Sequence, residues 1–169
     1  MSENELQNSA ARFNRRSVVK GAAWSVPVIA AAIAAPAASA SVLDAGAFNL
    51  DGTCGVLGLL GPGFLLTAAD TAPVPAGTVI TITSSGIANI GVFSLTGGAA
   101  VVNVLSADSV QIVLTGDLLP GETLAMRTTL SITVAFTLNA VATLPAGYIG
   151  TGSDSVGQVS STLILCSAS

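Results

Sequence analysis

The feature that most constrains the fold is an alternation of apolar and polar residues from Leu124 to Leu138. Side chains on a β-strand point to opposite faces in turn, so a two-residue period predicts a strand with one buried face. A slip of one residue would expose the whole apolar set, so the register is strongly specified. The apolar parity comprises Leu124, Met126, Leu130, Ile132, Val134, Phe136 and Leu138, and the other parity Ala125, Arg127, Thr129, Ser131, Thr133, Ala135 and Thr137.

Shorter segments show the same period elsewhere in the chain. Thr78–Thr83 alternates β-branched residues, and Val110, Ile112 and Leu114 share one face of the segment 109–115. Turns rich in Gly, Pro and Ser separate further predicted strands at 64–68, 89–96, 99–105 and 158–166. Seven or eight short strands without a helical stripe after residue 40 predict an all-β fold. We expect an antiparallel immunoglobulin-like β-sandwich, with a closed barrel as the alternative.

Two stretches lack the period and are predicted to be irregular. Residues 41–51 form a poorly patterned entry, and residues 144–155 a loop rich in Gly and Ser that contains Pro145. The Cys-Trp-Cys spacing of antibody domains is also missing, because no Trp follows residue 40.

The N-terminal 40 residues have a different character. Arg15, Arg16 and Lys20 form a basic front, an apolar Ala-rich run occupies 21–35, and Ala38-Ser39-Ala40 is a small-residue cleavage site. This order is that of a secretory signal peptide, helical in a membrane, that is cleaved between Ala40 and Ser41. A retained membrane anchor is the alternative, although the run is short, Ala-rich and interrupted by Pro27.

The basic front resembles a known export signal. Asn-Arg-Arg-Ser-Val-Val-Lys, residues 14–20, is similar to the twin-arginine signal Ser/Thr-Arg-Arg-x-Phe-Leu-Lys, with matches at Arg15, Arg16 and Lys20. Asn14, Val18 and Val19 depart from that pattern, which leaves the general secretion route open. The resemblance implies an exported protein that is either secreted or held in the cell envelope, and that meets the membrane only through its signal before cleavage.

Removal of the signal would leave one domain, residues 41–169, with an unusual charge balance. These 129 residues contain one cation, Arg127, against seven carboxylates, which gives a net charge of −6. Such a chain cannot hold a phosphate backbone electrostatically, so nucleic acid is excluded as a partner. The surface is expected to consist mainly of Ser, Thr, Gly and Ala.

Both cysteines of the chain, Cys54 and Cys166, belong to this domain. An even pair in an exported protein predicts a disulfide, here one that ties the two ends of the domain together. Two buried free thiols are the alternative. No metal or other cofactor is expected, because there is no His and no third Cys.

Two proline–glycine steps carry a second resemblance. Leu119-Pro-Gly-Glu-Thr123 before an alternating strand is similar to a step in the immunoglobulin-like repeat domains of bacterial cell-surface proteins. Val74-Pro-Ala-Gly-Thr78 precedes another strand in the same way. The resemblance implies a surface or secreted adhesion-type module and brings no catalytic residues with it.

The domain offers few groups for catalysis. Without His or Lys in residues 41–169, histidine triads and Schiff-base chemistry are excluded. The acids Asp51, Asp108, Asp117 and Asp154 sit beside Gly or Ser and are predicted to be turn residues. The sequence also allows a salt bridge between Glu122 and Arg127, and a calcium ion held between loops.

We therefore expect a non-enzymatic structural or interaction module whose partners are other cell-surface proteins or copies of itself. The alternative is a secreted module that binds carbohydrate or calcium. That module would be centred on the loop 145–157 and on the Asp-bearing turns. The loop contains Tyr148, the one aromatic residue expected to be exposed.

Overall fold

The computed structural model describes residues 41–56, 61–86, 90, 92–130, 135–162 and 165–169. The predicted signal helix lies outside these ranges, as do Asn89, Ile132 and Val134. The described residues form strands, turns and irregular segments, with no helix among them. The strands are β1 (Leu43–Asp44), β2 (Asn49–Thr53), β3 (Gly63–Thr67), β4 (Val79–Ser85), β5 (Phe93–Thr96), β6 (Ala100–Val104), β7 (Ser109–Leu114), β8 (Thr123–Thr128), β9 (Phe136–Thr143), β10 (Tyr148–Ile149), β11 (Val156–Thr162) and β12 (Leu165–Ala168).

Most of these strands belong to two antiparallel sheets. One has six strands in the order β12-β11-β9-β4-β7-β6, and the other has four in the order β2-β3-β8-β5. The short strands β1 and β10 pair in parallel as a separate ribbon. The all-β prediction is therefore confirmed, and both main sheets are antiparallel as expected.

The period of two explains which side of each sheet is buried. Along β4, Ile80 and Ile82 are fully buried while Thr83 is exposed, and β7 buries Val110, Ile112 and Leu114. The four-stranded sheet does the same, because alternate residues of β3 and β8 are enclosed. Residues of both sheets join one hydrophobic cluster, which includes Phe64, Leu66, Leu124 and Met126 from the smaller sheet and Ile80, Ile82, Ile112 and Leu138 from the larger.

The long alternation of residues 124–138 is correct in parity but is not one strand. Leu124 and Met126 are buried in β8, and Phe136 and Leu138 are buried in β9. However, β8 belongs to the four-stranded sheet and β9 to the six-stranded sheet. The chain therefore changes sheet within the alternation and keeps its apolar parity toward the shared core.

Other boundaries also differ from the prediction, and the described residues form twelve strands rather than the expected seven or eight. The segment 158–166 is divided between the antiparallel neighbours β11 and β12. The stretch predicted to be an irregular entry contains β1 and β2, and the predicted loop 144–155 contains β10. All of these added elements are short, and backbone pairing rather than a side-chain pattern defines them.

The two sheets come into close contact where β2 meets β11. A Cβ atom placed on Gly52 would lie 2.0 Å from the carbonyl oxygen of Gln158, so only glycine fits there. The amide of Gly52 also donates to the carbonyl oxygen of Ser169, at 3.0 Å. Edges of the two sheets are thus joined by backbone contacts on this side of the molecule.

The pattern of burial along β9 predicts unequal effects of two substitutions on the same strand. Leu138 is fully buried, whereas Val141 is 44% exposed. Leu138→Ala should lower the free energy of unfolding by about 2–5 kcal/mol, because it leaves a cavity in the shared core. Val141→Ala should change it by only about 0.5 kcal/mol. Urea denaturation measures both, and similar losses would contradict the register of β9.

Candidate functional site

The structure describes one of the residues assigned to export and cleavage. Arg15, Arg16, Lys20, Ala38 and Ala40 lie outside the described ranges, so the export signal stays a prediction. Ser41, the residue after the predicted cleavage site, is exposed. From there the chain enters β1, where the amide of Leu43 donates to the carbonyl oxygen of Gly147 at 2.9 Å.

Cys54 and Cys166 form a disulfide, as predicted. The Cα atoms are 5.8 Å apart, and the two residues are separated by 112 positions in the sequence. Cys54 directly follows β2 of the four-stranded sheet, and Cys166 lies in β12 at the edge of the six-stranded sheet. The bond therefore joins the two sheets covalently, in addition to joining distant parts of the chain.

Arg127, the single cation of residues 41–169, lies beside this end of β2. Its guanidinium donates from Nη1 to the hydroxyl oxygen of Thr53 at 2.9 Å. The carboxylate of Glu122 accepts instead from the amide of Leu119, at 3.1 Å. Each side chain thus has another partner, and the salt bridge left open by the sequence is not formed.

The proline–glycine steps are tight turns with a common geometry. In the Leu119 step the amide of Glu122 donates to the carbonyl oxygen of Leu119 at 2.9 Å, and Gly121 has φ of +74°. In the Val74 step the amide of Thr78 donates to the carbonyl oxygen of Pro75 at 3.2 Å, and Gly77 has φ of +84°. A positive φ at the third position of a four-residue turn is strongly favoured by glycine, which explains the residue type.

A third copy of this turn was missed in the sequence. In Leu144-Pro-Ala-Gly-Tyr148 the amide of Tyr148 donates to the carbonyl oxygen of Pro145 at 3.2 Å, and Gly147 has φ of +88°. The repeated Pro-Ala-Gly triplet was a signal that could have revealed it. We name residues 74–78, 118–122 and 144–148 the turn cluster.

The three segments of the turn cluster are held next to one another. Val74 and Leu118 exchange two backbone hydrogen bonds, at 3.0 and 2.9 Å. The carboxylate of Asp117 accepts from the amide of Ala76 at 2.7 Å. A Cβ on Gly77 would lie 3.7 Å from the Cβ of Pro145, so the first and third turns are neighbours. The turn motif thus organises one end of the fold and positions the first residues of β4 and β8.

The carboxylates mostly accept local hydrogen bonds. Those of Asp108 and Asp154 accept from the hydroxyl of Ser106 and the amide of Val156, which fits their predicted role in turns. The prediction that Asp51 is a turn residue is wrong, because Asp51 is an exposed residue within β2. Its carboxylate accepts a hydrogen bond from the side-chain amide of Asn49 at 2.7 Å. Groups of three or more potential metal-ligating side chains are not assembled within the described ranges.

Asp44 has the most developed set of partners. Its Oδ1 atom accepts from the amides of Thr151, at 3.0 Å, and Gly46, at 2.8 Å. The hydrogen bonds from the backbone and side chain of Thr151, followed by that from Gly46, lower the pKa of Asp44. The carboxylate thus ties the end of β1 to the segment after β10. This contact explains how a two-residue strand is held in place.

A shallow depression of about 300 Å³ lies where β4 and β11 end and β9 begins. Its lining combines hydroxyl groups with small apolar groups and one aromatic ring, without a charged side chain. The lining residues are Ser85, Gly86, Ala135, Phe136, Thr137, Ser161 and Thr162. None of these lining residues carries a carboxylate, an imidazole or an amine, which are the usual groups for acid–base catalysis.

Comparisons with known proteins assign no family to the chain. No protein-family model, no curated protein and no solved structure matches it. Across the described part of the chain, no helix is long and apolar enough to cross a membrane. Function must therefore be argued from the disulfide, the turn cluster and the distribution of charge.

Removal of the disulfide should destabilise the domain strongly. The cross-link restricts the unfolded chain over a long loop, so Cys54→Ser combined with Cys166→Ser should cost about 2–5 kcal/mol of unfolding free energy. Urea denaturation with and without reductant measures the effect. Reductant should lower the wild-type midpoint to that of the double variant and leave the double variant unchanged. A wild-type midpoint that does not respond to a fully reducing treatment would contradict a stabilising cross-link.

The hydrogen bonds of Asp44 predict a pH dependence of stability. The folded-state pKa lies below the ordinary value of 3.8, so the carboxylate contributes stability that is fully present above pH 3.8. This contribution is lost as the pH falls through the lower folded-state value. Between pH 3.8 and that value, the wild type should lose more stability than Asp44→Asn. Urea midpoints across this range measure the difference.

Asp70→Asn is the matched control for Asp44→Asn, because it removes the same charge from another exposed residue. Because this control keeps the hydrogen bonds of Asp44, it should lose more stability over this pH range than Asp44→Asn. Equal pH profiles for Asp44→Asn and Asp70→Asn would show that the contacts of Asp44 do not stabilise the fold.

Proposed function

We propose that this protein is an exported module of the cell envelope or extracellular space, with a structural or protein-interaction role and no catalytic activity. The observation that carries the proposal is the Cys54–Cys166 disulfide. Disulfides form and persist in oxidising compartments and are rare where thiols are kept reduced. No free cysteine is present in the described part of the chain, which fits a protein made for such a compartment.

The N-terminal sequence supports the same location. The twin-arginine-like front at Arg15, Arg16 and Lys20, followed by the cleavage motif Ala38-Ser39-Ala40, would direct the chain out of the cytoplasm. Cleavage would make Ser41 the first residue of the mature protein. An exposed Ser41, two residues before the start of β1, is compatible with a processing site at the margin of the domain.

An immunoglobulin-like β-sandwich is the finer fold that we propose. Its support is a pair of antiparallel sheets whose buried residues form one cluster. The turn cluster adds to this support, because the steps at Leu119 and Val74 are those that resemble repeat domains of bacterial cell-surface proteins. In this protein the steps build hydrogen-bonded turns between strands, which is a structural use of the motif.

A non-catalytic role fits the side chains that are present. Residues 41–169 contain neither His nor Lys, and Arg127 donates to Thr53 beside the disulfide-linked Cys54. The outward positions of the six-stranded sheet carry mainly hydroxyl, amide and valine side chains, among them Thr81, Thr83, Asn139, Gln158 and Ser160. A broad uncharged surface on a rigid scaffold suits contact with another macromolecule better than chemistry on a small molecule.

The ligand-binding alternative has less support from the described geometry. Tyr148, expected to present an exposed ring, is half-buried in β10, and Asp44 and Asp154 accept hydrogen bonds from backbone amides. Binding of calcium would have to compete with those amides. Binding of carbohydrate would lack the broad aromatic platform that a sugar face prefers.

Cell fractionation combined with intact-mass analysis tests the proposal. The full chain is expressed with its own N-terminus in a bacterium that has both export routes, and the protein is recovered from cytosol, envelope and medium. We expect the envelope or the medium to hold a chain that begins at Ser41 with both cysteines oxidised.

One double substitution and one single-residue control sharpen this test. Arg15→Lys combined with Arg16→Lys should block export, so that the precursor remains in the cytosol. Arg12→Lys, a control outside the motif, should leave export unchanged. A full-length wild-type chain found in the cytosol with reduced thiols would overturn the proposal. Export that is unaffected by the double substitution would assign the general secretion route instead.

A further inference from the structure

The two edge strands of the six-stranded sheet, β12 and β6, differ in the contacts that they make. At β12, Cys166 is bonded to Cys54, and the carbonyl oxygen of Ser169 accepts from the amide of Gly52, so the smaller sheet covers that edge. At the other edge, β6 has β7 as its single strand neighbour in the described part of the chain. An open edge presents unpaired N–H and C=O groups to any strand that approaches.

The hydrogen bonds at the ends of β6 show which of its backbone groups face outward. The amide of Leu105 donates to Ser109 at 3.0 Å, and the amide of Thr115 donates to Ala99 at 2.8 Å. In an antiparallel ladder, residues that bond to the neighbour alternate with residues whose backbone groups point away from it. Ala99, Val101, Asn103 and Leu105 therefore face β7, and the backbone groups of Ala100, Val102 and Val104 are directed to the open edge.

Among the residues that the structure describes, this edge lacks the devices that keep sheet edges from pairing. Natural edges are protected by Lys, by Pro, by bulges or by covering segments. Residues 92–107 contain no charged residue and no Pro, and β6 pairs with β7 in an unbroken one-to-one register. The edge is also apolar at its surface, because Val104 is 71% exposed and Leu105 is 58% exposed.

We propose that β6 is the docking edge for a second copy of this chain, paired antiparallel about Val102. This inference rests on the interaction role proposed above and names the partner and the surface. In this register Val102 faces Val102 of the second copy, and Ala100 faces Val104 of the second copy. Each of these facing pairs exchanges two backbone hydrogen bonds, and the sheet continues across both copies.

Side-chain size favours a copy of the same chain as the occupant, and the absence of charge along β6 avoids repulsion between copies. The register sets the small side chain of Ala100 opposite the exposed Val104 at both ends of the pairing, as a two-fold interface requires. Each copy carries a net charge of −6 over residues 41–169, so two copies repel each other wherever carboxylates meet. The edge of β6 carries no carboxylate, and a basic partner would find nothing there to attract it.

Sedimentation velocity over a range of concentrations tests the proposal, with the exported protein purified after expression of the full chain. The wild type should form a dimer as concentration rises. Val104→Lys places a charge at the open edge and should raise the dissociation constant by about tenfold or more. Val92→Lys is the matched control, because Val92 is also 71% exposed but precedes β5 in the other sheet. This control should dimerise like the wild type.

Hydrogen exchange locates the contact independently of any substitution. The amides of Val102 and Val104 should exchange more slowly as the wild-type protein is concentrated, and those of β5 should not change. Equal urea midpoints for the three proteins would show that the substitutions leave the fold intact.

Three results would overturn the proposal. They are a wild type that is monomeric at every concentration, a dimer that Val104→Lys and Val92→Lys affect equally, and protection of the β6 amides only when another protein is added. A monomer recovered from the envelope would remove this inference and leave the proposed function standing. A dimer that stays in the cytosol in its full-length form would overturn the proposed function and leave this inference standing.

Discussion

The fold depends on one constraint, which is that both sheets must bury their apolar faces in the same core. A strand with a period of two has one face that water disfavours, and a single sheet cannot cover it. Burial of one Leu, Ile or Phe side chain contributes about 1.5–3 kcal/mol, so the alternating residues of β4, β7, β8 and β9 dominate the stability. The outward residues need only be compatible with water. Hydroxyl and amide groups suffice, as in the contacts of Gln158 with Asn139 and of Ser160 with Ser167.

Two features at opposite ends of the sheets hold this arrangement in place. The turn cluster precedes β4 and β8, and the first residue of β8 lies in register with the start of β2. The disulfide follows the last residue of β2, Thr53, which pairs with Gly63. The turn cluster acts through backbone hydrogen bonds, whose geometry glycine at a positive φ permits. The disulfide acts through a covalent bond between Cys54, which directly follows β2, and Cys166 in β12 of the other sheet. Together they connect segments that lie far apart in the sequence, so neither sheet is organised by local contacts alone.

Much of this could be predicted from the sequence, since side-chain parity and turn residues record which face of a strand is buried. The parity of Leu124, Met126, Phe136 and Leu138 was correct, and so was the pairing of the two cysteines. The change of sheet between β8 and β9 could not be predicted from the sequence. Alternation shows which side chains are buried, but it does not show which neighbouring strand the backbone pairs with. The ribbon of β1 and β10 was also hidden, since its two-residue strands depend on backbone pairing and on the carboxylate of Asp44. The sequence also left the candidate site undefined beyond the cysteines and the export signal, and the open edge of β6 required knowledge of strand order.

Hydrogen exchange of the folded domain, measured strand by strand at low concentration, tests the shared core most directly. If both sheets bury their faces against each other, amides in the central strands β4, β7 and β9 and in β3 and β8 exchange only when the whole domain unfolds. Their opening free energies should then be equal and should fall together as denaturant is added. Exchange of β3 and β8 through a separate opening of lower free energy, while β4, β7 and β9 remain protected, would contradict a single core.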